Sequence, residues 1–121
     1  EKAVRLSDDF SDLGNINGCG LDDINDRRFD IVINGTAASL HGDMPDLPDG
    51  LFAVDGLAYD MMYASQPTPF MRWANRQGAA RIADGLGMLV EQAAESFDVW
   101  RGVHPDTQSV IEALRQELQQ A

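Results

Sequence analysis

From Phe29 onward the chain alternates short apolar runs, each closed by glycine or proline, with longer stretches whose apolar residues recur every three to four positions. Strand, helix, strand, helix in that order admits few folds. Parallel strands need crossover connections, so the intervening helices must lie over the sheet and an α/β domain is expected. The first run, "RFDIVINGT", places Phe29, Ile31, Val32 and Ile33 together and stops at Asn34-Gly35. Being apolar on both faces, it fits a central parallel strand better than an edge. "GLAYDMMY", Gly56 to Tyr63, is the second strand candidate, and "AARIADG" supplies a short third.

The helices are bracketed by recognisable ends. Thr68-Pro69 offers an N-cap followed by proline at the first helical position, ahead of "FMRWANRQG", which Gly78 closes. "LGMLVEQAAESFDVWRG" is a longer helix ending at Gly102, with Leu86, Leu89, Val90, Ala93, Phe97 and Trp100 in one broad stripe expected to face the sheet. Pro105 opens a last helix, "DTQSVIEALRQELQQ", with Val110, Ile111, Leu114 and Leu118 on one face. Near the start, Val4, Leu6, Phe10 and Leu13 have near-helical spacing, with Gly14 placed to stop that helix. "NINGCG" reads as a short strand or a turn, and "LDDIND" as a helical turn with Leu21 and Ile24 inward. "HGDMPDLPDGLF" reads as a long loop containing at most one helical turn.

Composition narrows the partners. With 121 residues, 44% of them hydrophobic, the chain suits one domain or part of one. A formal charge of −11 argues against nucleic acid or an anionic membrane, both of which reward clustered lysine and arginine. The single cysteine, Cys19, can form no internal disulfide, and no apolar run is long enough for a membrane span. With no secretory signal at its start, the chain is expected in the cytoplasm. His41 and His104 lack ligand-type spacing, so no metal site is expected.

Ligands of open parallel sheets gather beyond the carboxyl ends of the strands. Asn34-Gly35-Thr36, Met61-Met62-Tyr63 and Asp84-Gly85-Leu86-Gly87 occupy such positions, and each is either a candidate ligand surface or an ordinary connecting loop. Two glycines at a helix entry are costly, which raises the question of what approaches the backbone there. On the following helix Glu91, Glu95 and Asp98 form a solvated face. Gln92 falls on neither face: it shares a row with Gly85, Met88 and Ser96, and its amide can both donate and accept.

"FDIVINGT", "GLAYDMMY…TPF" and "ADGLGMLVEQAAESFDVWRGVHPD" resemble the C-terminal part of the shikimate dehydrogenase family, NADP-dependent enzymes of aromatic amino-acid (chorismate) biosynthesis. The similarity runs through nearly the whole chain, weakly over "EKAVRLSDDF". It implies that residues 1–103 are part of a Rossmann-like NADP-binding domain lacking its first strands. Residues 104–121 would then be a terminal helix that packs on a substrate domain. It further implies that Met61 and Gly85 line the nicotinamide end of the cofactor site, with Asn34 and Thr36 beside the cofactor. Tyr63 and Gln92 would contact the hydroxy acid, shikimate or 3-dehydroshikimate, while Gly87 would let the helix start close against the sheet and Asp84 would hold the loop. Gly35 and Ala37 depart from the family's alanine and serine at this strand end.

The glycine-rich cofactor turn and the substrate domain with its catalytic lysine and aspartate have no counterpart in the 121 residues, and Lys2 is the only lysine. The resemblance therefore implies a fragment of an oxidoreductase with no catalytic residue of its own. The family's strand order would leave "FDIVIN" with an open edge, so self-association is expected. A quinate/shikimate dehydrogenase, or a non-catalytic α/β interaction module, are the alternatives.

Overall fold

A computed structural model describes residues 1–38 and 42–120; His41 lies outside the described residues. The elements in order are α1 (Lys2–Asp9), a 3-10 turn (Leu21–Ile24), β1 (Phe29–Asn34), β2 (Phe52–Asp60), α2 (Pro69–Arg76), β3 (Arg81–Ala83), α3 (Leu86–Arg101) and α4 (Thr107–Gln120). The strands form one parallel sheet in the order β1-β2-β3, with Val32 opposite Ala58 and Ala58 opposite Ile82. The α/β architecture expected from the alternating pattern is therefore the one observed.

Two strand-level expectations need correction, and a third segment left open is settled. Among the described residues β1 is an edge strand, with β2 at the centre, and Ile31 and Ile33 are 56% and 62% exposed. Its continuous apolar run thus has cover on one face only. β2 spans Phe52–Asp60 rather than Gly56–Tyr63. It stops early because the Met62 N–H turns back to Asp60 Oδ1 at 3.0 Å. Asn15–Gly20 forms no strand; it folds back on α1, so close that a Cβ on Gly18 would fall 2.0 Å from the Ala3 carbonyl oxygen.

The core lies between the sheet and α2, where Leu51, Phe52, Ala58, Phe70, Trp73 and Ala74 are buried together. Trp73 sits 5.8 Å from Phe52 and 5.7 Å from Phe70, both in tilted ring contacts that favour packed aromatics. The proline-rich connection adds Met44 and Leu47 to this cluster. α2 begins as its sequence implies: Thr68 Oγ1 accepts from the Met71 N–H at 3.2 Å, with Pro69 at the first helical position.

The other helices depart from their patterns. α1 ends at Asp9, before Gly14; Val4 stays exposed, as do Leu6, Phe10 and Leu13, which line an open groove. Leu21 is exposed too, and only Ile24 of its turn packs on the core. In α3, Leu86, Val90 and Ala94 are buried, whereas Ala93, Phe97 and Trp100 are exposed. The short sheet covers only the first half of this helix, so the stripe outruns its cover. Gly102, at φ 67°, ends α3 in the left-handed conformation, as its position suggested. α4 packs along α3.

Candidate functional site

The three strand ends converge on one edge of the sheet. Asn34, the last residue of β1, is buried, and its side chain is engaged within the protein. Its Oδ1 accepts from the Thr36 N–H at 3.1 Å and from Thr36 Oγ1 at 2.8 Å, while its Nδ2 donates to Asp60 Oδ1 at 3.3 Å. Asp60 ends β2 fully buried, and its Oδ2 accepts from the Thr68 hydroxyl. Asn34, Asp60 and Thr68 thereby lock the ends of β1 and β2 to the start of α2. A buried carboxylate so surrounded by donors fixes backbone geometry, a structural task that residue spacing alone did not reveal.

Beyond this lock, Met61 projects to the surface with 43% exposure, and Thr36 is exposed beside it. Gly35 makes room for the Met61 thioether: a Cβ there would stand 3.2 Å from Met61 Sδ. That contact is with the mobile end of a side chain, so an alanine fits after a small shift. The departure at Gly35 therefore leaves the site's geometry intact.

Gly85 answers the question of what approaches the backbone at the α3 entry. A Cβ there would fall 2.0 Å from the Met61 carbonyl oxygen and 2.6 Å from its carbon. The Gly85 N–H donates to the Met62 carbonyl at 3.0 Å. The close neighbour is thus the β2 strand end itself, and Gly85 welds the β3–α3 turn to Met61 and Met62. Gly87 plays a different part from the close helix–sheet approach expected of it, since a Cβ there would meet nothing within 4 Å. It borders a cleft of about 460 Å³ that also touches Ser65, Gln66, Met71, Arg115 and Gln119.

Asp84 holds the turn, and it does so through a partner the sequence did not point to. Its Oδ1 accepts from the Leu86 N–H at 3.2 Å. Arg115 of α4 then donates to both carboxylate oxygens, Nη1 to Oδ2 and Nη2 to Oδ1, each at 2.6 Å. That hydrogen bond raises the guanidinium above its already high ordinary value; desolvation opposes the shift and the carboxylate's charge adds to it. A raised pKa contributes stability that is complete below the unfolded value and lost only as pH climbs past the folded one. Arg115 therefore stays charged throughout the ordinary pH range. Arg115 lies on another helix, 31 positions away, so only the folded chain reveals the pair.

Tyr63 and Gln92 stand further out. Tyr63, 39% exposed, lines a cleft of about 300 Å³ with Leu86, Leu89, Leu114, Glu117 and Leu118. Gln92 lies on the exposed side of α3, three residues beyond Leu89, and its carbonyl accepts from Ser96 Oγ at 2.9 Å. The structure brings Asn34, Thr36, Met61 and Gly85 into one cluster, with Tyr63 leaving it along the chain; Gln92 lies outside that cluster. Among the described residues no group of three or more histidine, cysteine, aspartate or glutamate side chains could hold a metal ion. No helix among them is long and apolar enough to cross a membrane.

Residues 85–115 match the family model of the shikimate 5'-dehydrogenase C-terminal domain. The shikimate dehydrogenase (NADP(+)) of Cellvibrio japonicus is 55% identical over 117 residues, 97% of this chain and 42% of the relative. That of Chromohalobacter salexigens is 58% identical over the same span and share. Among solved structures, an Ael1 enzyme from Pseudomonas putida is 47% identical with a TM-score of 0.83, covering 93% of this chain and 41% of that one. Shikimate 5-dehydrogenase from Thermus thermophilus, in complex with NADP(H) and shikimate, is 30% identical with a TM-score of 0.76, covering 95% of this chain and 42% of that one. This chain, which spans about 42% of the length of the curated relatives it matches, is thus similar over nearly all its residues to the C-terminal part of the NADP(+)-dependent shikimate dehydrogenases.

Proposed function

We propose that these residues form the nicotinamide side of the cleft of a cytoplasmic NADP-dependent shikimate dehydrogenase, which reversibly reduces 3-dehydroshikimate to shikimate. The observation that carries the reading is the convergence of Asn34, Thr36, Met61 and Gly85 at the carboxyl ends of parallel strands, where such sheets bind cofactors. The residues present fit a nicotinamide. Met61 offers an exposed thioether as an apolar platform, Gly35 leaves it room, and the Gly85 turn, pressed on the Met61 carbonyl, fixes where that platform stands.

NADPH, when bound, supplies the hydride. The work of this chain is orientation: Met61 and the Gly85 turn hold the ring, and the Asn34–Asp60–Thr68 lock keeps both strand ends from shifting. The Tyr63 hydroxyl and the Gln92 amide are assigned to hydrogen-bond the hydroxy acid. The one lysine, Lys2, stands in the exposed first turn of α1 and is assigned no part in proton transfer. Residues 104–121 then bridge to the substrate domain with the face of α4 that α3 leaves uncovered.

The test is shikimate-dependent reduction of NADP(+) by the complete dehydrogenase that carries these residues, with quinate as the competing substrate. Tyr63→Phe and Gln92→Ala each raise KM for shikimate about tenfold, the loss of one or two hydrogen bonds, and leave KM for NADP(+) within about twofold. Variants that change neither constant refute the assignment.

The bare face of β1 favours a second, compatible reading. Ile31 and Ile33 lie uncovered on an apolar edge strand, a surface that seeks a partner. We infer that the chain by itself associates with a second copy along this edge.

A further inference from the structure

We propose that Arg115 is a positioning residue for the cofactor-side site: its fork on Asp84 fixes the β3–α3 turn and, through Gly85, the Met61 end of β2. The inference rests on the function proposed above. Asp84 is the one residue between the last of β3, Ala83, and Gly85, which precedes α3. Its side chain is 9% exposed, against 36% for Arg115, so a nearly buried carboxylate takes its orientation from a cation on another helix. Two parallel N–H···O bonds of 2.6 Å set direction as well as distance, which a single bond does not.

The next residue, Gly85, is pressed on the Met61 carbonyl and bonded to that of Met62. A rotation of Asp84 therefore carries Gly85 with it and disturbs Met61 to Tyr63 in turn. α4 is thereby tied to the site. Lysine offers one point charge in place of a planar fork, so it restores the charge and only part of the orientation.

The test compares the complete dehydrogenase implied by the proposed function, carrying these residues, with its Arg115→Lys and Arg115→Ala variants, using residue-resolved amide exchange and NADPH titration. In folded Arg115→Ala the Gly85 and Leu86 amides should exchange about tenfold faster while those of Val32 and Ala58 hold their rates. The KM for NADPH should rise about tenfold with kcat within about twofold, and Arg115→Lys should fall between. A variant of purely structural effect lowers the melting temperature and leaves that KM unmoved; unchanged exchange at the turn, or unchanged NADPH affinity, overturns the proposal. If Arg115→Ala fails to fold, Arg115→Lys carries the same comparison. A complete dehydrogenase that takes up no NADPH refutes the proposed function itself, and the exchange comparison still decides whether Arg115 fixes the turn.

Discussion

Alanine at Gly85 and alanine at Gly87 should move stability in opposite directions, although the two positions stand one residue apart at the same helix entry. At Gly85 the new Cβ would lie 2.0 Å from the Met61 carbonyl oxygen, where ordinary contact begins at 3.4 Å. The turn or the strand end must therefore move by roughly 1.4 Å, and both are backbone with no rotamer to yield. Overpacking of this kind costs about 1–3 kcal/mol, and straining the 3.0 Å bond from the Gly85 N–H to Met62 adds about 1 kcal/mol. The total of about 2–4 kcal/mol corresponds to a fall in Tm of roughly 8–16 °C for a chain of this size. At Gly87 the Cβ meets nothing within 4 Å, and alanine gains about 0.5–1 kcal/mol from its helix preference. Urea and thermal unfolding followed by circular dichroism measure both. Gly85→Ala within about 1 kcal/mol of the parent, or Gly87→Ala as damaging as Gly85→Ala, refutes the reasoning.

Thr68→Ala removes both the cap of α2 and a donor to the buried Asp60, and should cost about 1–3 kcal/mol in urea unfolding, with Thr68→Ser recovering most of it. Ile33→Lys places a charge on the uncovered face of β1 and should shift light scattering toward the monomer at concentrations where the parent associates; a parent monomeric at all concentrations contradicts the edge reading. Phe70→Ala empties the centre of the buried cluster and should cost about 3–5 kcal/mol by the same unfolding assay.

Local chemistry made much of the framework legible. Thr68-Pro69 marked a helix start and Gly102 a helix end because caps act within one turn, and the structure uses both residues so. Strand limits were harder to see. Tyr59, Met61 and Met62 continue the apolar pattern of β2, yet the strand ends at Asp60 because that carboxylate recruits the Met62 N–H and the Thr68 hydroxyl. Partners beyond the local segment left no trace in periodicity. The stripe of α3 is regular through Phe97 and Trp100, but a three-stranded sheet ending in a three-residue strand covers only its start. The site residues show the same division. Glycine at position 85 announced a close approach, while the Met61 carbonyl that approaches it and the Arg115 fork that holds its neighbour emerge only from tertiary structure.

The measurement that bears most directly on the cofactor assignment is amide exchange of the complete dehydrogenase with and without NADPH, read residue by residue over this segment. Binding at the converged strand ends predicts slowed exchange at Gly35, Thr36, Met61 and Gly85, with α1 unaffected. Protection confined to other segments, or none at saturating NADPH, would contradict the placement of the cofactor at this edge of the sheet.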